Sequence, residues 1–376
     1  MAPVPLDVVS DEYSFDFEFS PPPRPRPPRR RRRKRSNARP LLLLVILLVA
    51  VGAIVLGAKA LIGGDGGQPT AAANSSTSAP QAQPVSTAKA KDKKAKSKPK
   101  AQPVGIPKAQ DAPKVTALPA PTYANGAKAM ANQPSLGAIA WVALDVDKNE
   151  ILLAHGDTDQ RPIASLTKMM TGLLTSEAGN LWHPVTVSAT AADVEPNKDG
   201  LIIGNRYPRG ILLYSALLGS NNDAAAALGE DLGRGNYQRY YRMMNKRARE
   251  LGLTDTRYSS SSGLNDATNW STARDQAILL ARALGNPTFA DAVGTWHHTV
   301  RWPDTGKSKT YENHNKMLKT YPGTIGGKTG FTTLAGGCLA VAVKKGGRTI
   351  VAVVLHTNDI WDDMPRLVDA AFKRAG

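Results

Sequence analysis

Apolar and polar positions divide this 376-residue chain into an apolar run, a polar tract and a patterned remainder. Leu41 to Ala58 carries no charge and no proline, and the run continues past Lys59 to Leu61 and Ile62. That is about the length needed to cross a hydrocarbon core of about 30 Å as a helix. The basic cluster Arg29 to Arg33, Lys34, Arg35 and Arg39 lies before it, so the positive-inside rule predicts a signal anchor with a cytoplasmic N-terminus. Residues 63–118 are Ala, Pro, Ser, Gln and Lys without apolar periodicity, a solvated linker in which Lys89 to Lys100 repel one another.

Residues 119–376 are patterned throughout. Short apolar runs at 138–145 and 150–154, joined at Asp147-Lys148-Asn149, predict a hairpin. A second hairpin is predicted from 338–343 and 349–355 around Lys344-Lys345-Gly346-Gly347. Helical spacing then places Leu367, Val368, Ala371 and Phe372 on one face of a terminal helix over 364–375. Between the hairpins, helices are predicted near 165–175, 209–218, 222–232, 237–251 and 272–284, the last capped by Ser271 or Thr272. Strands at both ends and helices between them give an α+β fold: a central antiparallel sheet built from both ends of the domain, with a mostly helical region beside it. The organisation is thus a disordered Pro/Arg-rich tail over 1–40, a membrane span over 41–62, the linker over 63–118 and one folded domain over 119–376. No internal repeat interrupts it.

Charge narrows the function class. Of 48 Lys and Arg, 20 lie before residue 119, with 8 of the 31 Asp and Glu, which leaves a nearly balanced 28 against 23 for the folded part. A nucleic-acid-binding domain carries its surplus on the folded surface, so no nucleic-acid partner is expected. Cys338 is the single cysteine, which excludes a disulfide framework and a multi-cysteine metal site.

Three short motifs carry candidate chemistry. Ser165 and Lys168 stand three apart at a predicted helix start, on one face, where the amine can reach the hydroxyl and the helix N-terminus offers N–H groups to an oxyanion. A lysine whose pKa is depressed by desolvation or by a second cation can activate a serine. Spacing alone is weak, because Ser86 to Lys89 and Ser97 to Lys100 repeat it in the linker. Gly219-Ser220-Asn221-Asn222-Asp223 falls between two predicted helices and by itself is a turn with a cap. Gly326-Gly327-Lys328-Thr329-Gly330-Phe331 precedes the second hairpin, with glycines that let another backbone or a ligand approach a strand. A phosphate loop would need an upstream glycine and a following helix, and neither is there.

Taken in order, Ser165 with Lys168, Ser220 with Asn222, and Lys328-Thr329-Gly330 form an S-x-x-K, S-x-N, K-T-G set. The stretch from about Pro134 to Ala371 resembles the low-molecular-weight penicillin-binding proteins, specifically the serine-type D-alanyl-D-alanine carboxypeptidases. Ala164 to Thr171, Asn222 to Ala226, Ser271 to Asp275, Asn313-His314-Asn315 and Tyr321-Pro322-Gly323 share that family's phrasing. The resemblance implies a hydrolase without cofactor or metal, acting on peptidoglycan stem peptides ending in D-Ala-D-Ala and covalently inhibited by β-lactams. It implies Ser165 as nucleophile, Lys168 as its base, and Ser220 with Lys328 as proton relay to the departing D-alanine. Asn222 would bind the substrate amide, Thr329 the terminal carboxylate, and the N–H groups of Ser165 and Phe331, beside Gly330, the oxyanion.

The chain departs from the family where relatives often carry His-Gly-Leu and it has Ser262-Gly263-Leu264, and where they carry an arginine after the last strand and it has Leu355-His356-Thr357-Asn358. Arg301 is a candidate substitute carboxylate anchor. Only one helix is predicted after the last strand, so neither a C-terminal β-domain nor an amphipathic anchor is expected. A class A β-lactamase would need a water-activating glutamate, yet Glu230, Glu250 and Glu312 are the only ones between Asn222 and Lys328 and none precedes an asparagine at E-x-x-x-N spacing. A D,D-endopeptidase using the same residues, and a non-catalytic penicillin-binding wall scaffold, are the remaining alternatives.

Overall fold

The computed structural model describes residues 114–124, 133–264 and 267–376. The tail over 1–40, the span over 41–62 and nearly all of the linker lie outside the described residues. In chain order the elements are β1 (Thr122–Tyr123), β2 (Ala140–Asp145), β3 (Glu150–His155), β4 (Arg161–Pro162) and a 3₁₀ turn (Ala164–Leu166) that runs into α1 (Thr167–Glu177). Then follow β5 (Pro184–Thr186), α2 (Ala189–Ala192), β6 (Arg206–Pro208), α3 (Arg209–Leu217), α4 (Asn222–Leu232), α5 (Tyr237–Glu250) and β7 (Trp270–Ser271). The last third comprises α6 (Ala273–Ala283), α7 (Pro287–Gly294), β8 (His297–Arg301), β9 (Ser308–Glu312), α8 (Met317–Thr320), β10 (Thr324–Thr332), β11 (Gly336–Lys345), β12 (Arg348–Thr357) and α9 (Ile360–Ala375).

The main sheet runs β1-β3-β2-β12-β11-β10, so the two predicted hairpins meet where β12 pairs β2, from Ile350 opposite Asp145 to Leu355 opposite Ala140. Side chains alternate across it with period two. Val351, Val353 and Leu355 enter the cluster under the helical region, while Ile350, Ala352 and Val354 enter the cluster under α9. Both faces are therefore covered, and burying each such valine or leucine contributes about 1.5–3 kcal/mol. On the helical side the sheet presents Ala140, Cys338, Ala340 and Ala342, and α6 packs on β2, β11 and β12 over these small side chains.

The expected all-antiparallel sheet needs one correction: edge strand β1 pairs β3 in parallel, Thr122 opposite Glu150. It reaches that edge from the linker side rather than by a hairpin, so no turn forces it antiparallel. A second correction concerns Ser165. The helix expected from residue 165 begins at Thr167, and the serine sits in the preceding 3₁₀ turn, after Ala164 at φ 46°. The terminal helix starts at Ile360, earlier than its apolar spacing indicates, because Asp359 caps it, accepting from the N–H groups of Trp361 at 2.9 Å and Asp362 at 3.1 Å. Thr272 caps α6 as expected, accepting from Asp275 N–H at 3.0 Å.

Candidate active site

Ser165 is half-buried at the head of α1, and Lys168, one turn on, is fully buried. Lys168 Nζ lies 2.8 Å from Ser165 Oγ, 2.7 Å from Asn222 Oδ1 and 3.0 Å from the carbonyl oxygen of Ser262. None of these acceptors is a carboxylate. The Lys168 pKa consequently falls well below the ordinary lysine value, first because burial strips its hydration and then because Lys328 is a second nearby cation, against an opposing pull from the Asp223 carboxylate. Lowering the pKa raises the fraction of this amine that carries a free lone pair, and it lies at hydrogen-bond distance from a serine hydroxyl.

The linker decoys at Ser86 and Ser97 fall outside the described residues. The second motif forms the turn between α3 and α4. Ser220 holds φ 57°, an uncommon conformation for a residue with a Cβ, and the surroundings over-determine it. Asn197 donates from Nδ2 to the carbonyls of Gly219 at 3.0 Å and Ser220 at 2.9 Å, and its own carbonyl accepts from Asn222 N–H at 2.8 Å. Behind the turn the Asp223 carboxylate accepts the N–H groups of Asp199, Gly200 and Leu201 at 2.9, 3.0 and 3.1 Å. Asn222 is engaged at both ends of its amide, Oδ1 by Lys168 and Nδ2 by the carbonyl of Pro196, leaving one amide hydrogen for any further acceptor.

Strand β10 supplies the third motif. Lys328 is buried with Nζ 3.0 Å from Ser220 Oγ and 3.0 Å from the Thr329 carbonyl, and burial pulls its pKa to about 7. Thr329 is half-buried and Phe331 exposed. Gly330 is where β10 presses on the serine turn: a Cβ there would sit 2.9 Å from Ser165 N and 3.1 Å from Ala164 Cβ. Phe331, expected to supply an oxyanion donor with Ser165, is the next residue of β10 after this contact. Arg301 ends β8 and its guanidinium lies against Gly306, where a Cβ would meet Nη2 at 3.5 Å, on its own hairpin turn.

Two features escaped the sequence. Gly263 holds φ 80° against the serine turn, where a Cβ would lie 1.8 Å from the Ala164 carbonyl oxygen, and its neighbour Ser262 contacts Lys168 through the backbone alone. The departure from the family at Ser262 therefore leaves that contact intact. His314 is the other. Its N–H donates to the Leu218 carbonyl at 3.3 Å beside the Ser220 turn, and its pKa falls to about 4 by desolvation and by the charges of Lys328 and Lys168. The Asn313-His314-Asn315 phrase was the available signal for it.

The geometry is that of an amine-activated serine with a second lysine–serine pair opposite. A family profile described as D-alanyl-D-alanine carboxypeptidase matches residues 127–359. The chain belongs to that family. It is a serine hydrolase of the penicillin-binding fold, and its reaction class is that of a D,D-carboxypeptidase. It is 31% identical over 243 residues to the D-alanyl-D-alanine carboxypeptidase of Streptomyces sp. strain K15, covering 61% of this chain and 84% of that one. It is 28% identical over 233 residues to the D-alanyl-D-alanine endopeptidase of Escherichia coli K12, covering 60% of this chain and 73% of that one. The crystal structure of the Streptomyces K15 DD-transpeptidase superposes with TM-score 0.61 at 29% identity, over 65% of this chain and all of that one. Lys168 and Ser220, adjacent to Ser165 and Lys328 respectively, are thus read within a family whose members carry carboxypeptidase, endopeptidase and transpeptidase names.

Proposed function

We propose that this chain trims the terminal D-alanine from peptidoglycan stem peptides through an acyl-enzyme on Ser165, and that β-lactams acylate the same oxygen. The observation that carries it is the 2.8 Å approach of Lys168 Nζ to Ser165 Oγ in a site where burial and Lys328 hold that amine toward neutrality. In the first step Lys168 takes the hydroxyl proton as Oγ bonds to the D-Ala-D-Ala carbonyl carbon. The N–H groups of Ser165 and Phe331 take the charge that develops on oxygen, a stabilisation commonly worth about 10² to 10³ in rate per donor. Collapse breaks the C–N bond, and the proton held by Lys168 passes through Ser220, hydrogen-bonded to Lys328, to the leaving amine, which leaves Lys168 neutral again. Water then cleaves the ester, its proton returning through Lys168, and restores Ser165. Asn222 and Thr329 hold the substrate amide and carboxylate.

The chain acts, on this proposal, from the outer face of the membrane, anchored by residues 41–62 with its N-terminus in the cytoplasm. Support comes from the basic cluster before the apolar run. A D,D-endopeptidase acting on cross-links is the second reading, favoured by the endopeptidase among its relatives.

Ser165→Ala should abolish both D-alanine release from diacyl-Lys-D-Ala-D-Ala and the mass increment left by benzylpenicillin, and Lys168→Ala should slow acylation at least about a hundredfold. D-alanine release by Ser165→Ala at the wild-type rate would overturn the assignment. Release of dimer-derived products from cross-linked muropeptides at a rate matching that of D-alanine would favour the endopeptidase.

A further inference from the structure

Helix α5 buries one stripe and exposes a contrasting one. Tyr240, Met244, Arg247 and Ala248 point inward, spaced four, three and one apart. Arg239, Arg242, Lys246 and Arg249 are exposed at steps of three, four and three, which at 100° per residue keeps them within an arc of about 80° along about 15 Å of helix. Arg234 and Arg257, also exposed, flank the helix in sequence. Among the described residues, Arg239, Arg242 and Arg249 enter no ion pair, and Lys246 meets only Glu250, at 3.6 Å. Like charges three and four apart on a helix repel one another, so the stripe carries an electrostatic cost that an anionic surface would relieve.

The same helix receives the chain from its N-terminal side. Arg247 Nη2 donates to the Val115 carbonyl at 2.5 Å, and Val115 N–H donates to Glu177 Oε1 at 3.2 Å. The described chain therefore enters the domain beside α5. Glu177 closes α1 and Ser165 stands before its other end, twelve residues and about 18 Å away at helical rise. The residue of α5 that meets the entering chain, Arg247, also holds Glu177 at one end of α1, while the reactive serine precedes the other end.

We propose that the outer face of α5 docks on the anionic phospholipid surface of the membrane that holds the chain's own apolar segment, with the Ser165 end turned away from the bilayer. The occupant follows from charge complementarity and from where the described chain enters the domain, and its identity as the chain's own membrane rests on the anchoring proposed above. A straight row of cations suits a plane of headgroups, and each lysine or arginine near such a surface adds to binding that salt screens.

The test uses the full chain reconstituted in vesicles of phosphatidylglycerol with phosphatidylcholine, or of phosphatidylcholine alone. A donor dye is placed on Gln238→Cys or, at the serine end, on Leu334→Cys, both exposed, while Cys338 is buried and stays unlabelled. Energy transfer to an acceptor lipid should be high from position 238 and low from 334 in anionic vesicles. It should collapse in neutral vesicles, at about 1 M salt where the screening length is about 3 Å, and in the triple variant Arg239→Glu, Arg242→Glu, Arg249→Glu. The variant should keep its melting temperature and its penicillin labelling, and should float with anionic vesicles at least roughly tenfold more weakly once the apolar segment is deleted. Equal transfer in neutral vesicles or in the variant overturns the docking. So does binding of soluble poly(glycerol phosphate) through α5 with no response to anionic lipid. Resistance to alkaline carbonate washing reports the anchor separately, so loss of the anchor and loss of the docking give different results.

Discussion

Lys168 and Lys328 are buried, and among the described residues neither has a carboxylate at hydrogen-bond distance, which bears on both the chemistry and its pH dependence. Desolvation is the larger cause for Lys168, with Lys328 second, so removing the second cation should let the Lys168 pKa rise. The rate constant for acylation by benzylpenicillin should climb with pH on a limb below the ordinary lysine range, and Lys328→Gln should shift that limb to higher pH. A limb that stays in place would show that Lys328 does not tune its neighbour. Stability follows with a fixed sign. A lysine whose folded pKa, about 7 for Lys328, lies below the unfolded value near 10.4 binds fewer protons folded than unfolded between the two. Stability therefore rises with pH across that window, and below about 7, where the amine is charged in both states, the cost of burying the ammonium is fully present. Urea midpoints measured from about pH 7 to 10 should slope less in Lys328→Gln than in the wild type. At Gly263 a Cβ has no room and φ is 80°, so Gly263→Ala should lower stability by about 3 kcal/mol or more and abolish penicillin labelling.

Among the elements, the β8–β9 hairpin holds the loop that holds Ser220. Tyr311 Oη donates to Asp199 Oδ2 at 2.6 Å, Ser215 Oγ donates to the same oxygen at 2.7 Å, and Lys309 forms an ion pair with the carboxylate. At the hairpin's tip Asp304 accepts from Asn205 Nδ2 at 2.6 Å and from Tyr207. From this clamped loop Asp199 reaches Asp223 by its N–H, and Asn197 reaches the carbonyls of the Ser220 turn. Asp199→Ala would leave Tyr311 and Ser215 without their acceptor, at about 1–3 kcal/mol for each buried group stranded. The variant should lose stability in urea and acylate more slowly, while Asp199→Asn, which retains an acceptor oxygen, should recover most of both. Equal acylation rates in wild type and Asp199→Ala would separate the hairpin from the positioning of Ser220.

Across the whole molecule, charge and apolar sequence divide the chain into a basic N-terminal portion and a nearly balanced catalytic portion. If residues 41–62 anchor it with the N-terminus inside, protease added to spheroplasts should cut the linker and release a fragment that still binds labelled penicillin. Full protection of that fragment until the cells are lysed would reverse the orientation.

The local pattern of the sequence determined what depends on neighbours in the chain: two hairpins, five inner helices, a cap at Ser271 or Thr272, and the candidate residues Ser165, Lys168, Ser220, Asn222 and Lys328. Alternation and helical spacing are short-range signals, and the three motifs were legible because their order and surrounding phrases match one family. Tertiary structure alone decided which hairpin edges meet and that β1 joins in parallel, because strand pairing is chosen by packing between distant segments. It brought Gly263 and Gly330 against the serine turn from positions 98 and 165 residues further along the chain than Ser165. It also put His314 beside two lysines and hid both lysines from water. Desolvation is a property of the surrounding fold, so the depressed basicity on which the proposed reaction depends exists only once these segments have packed together.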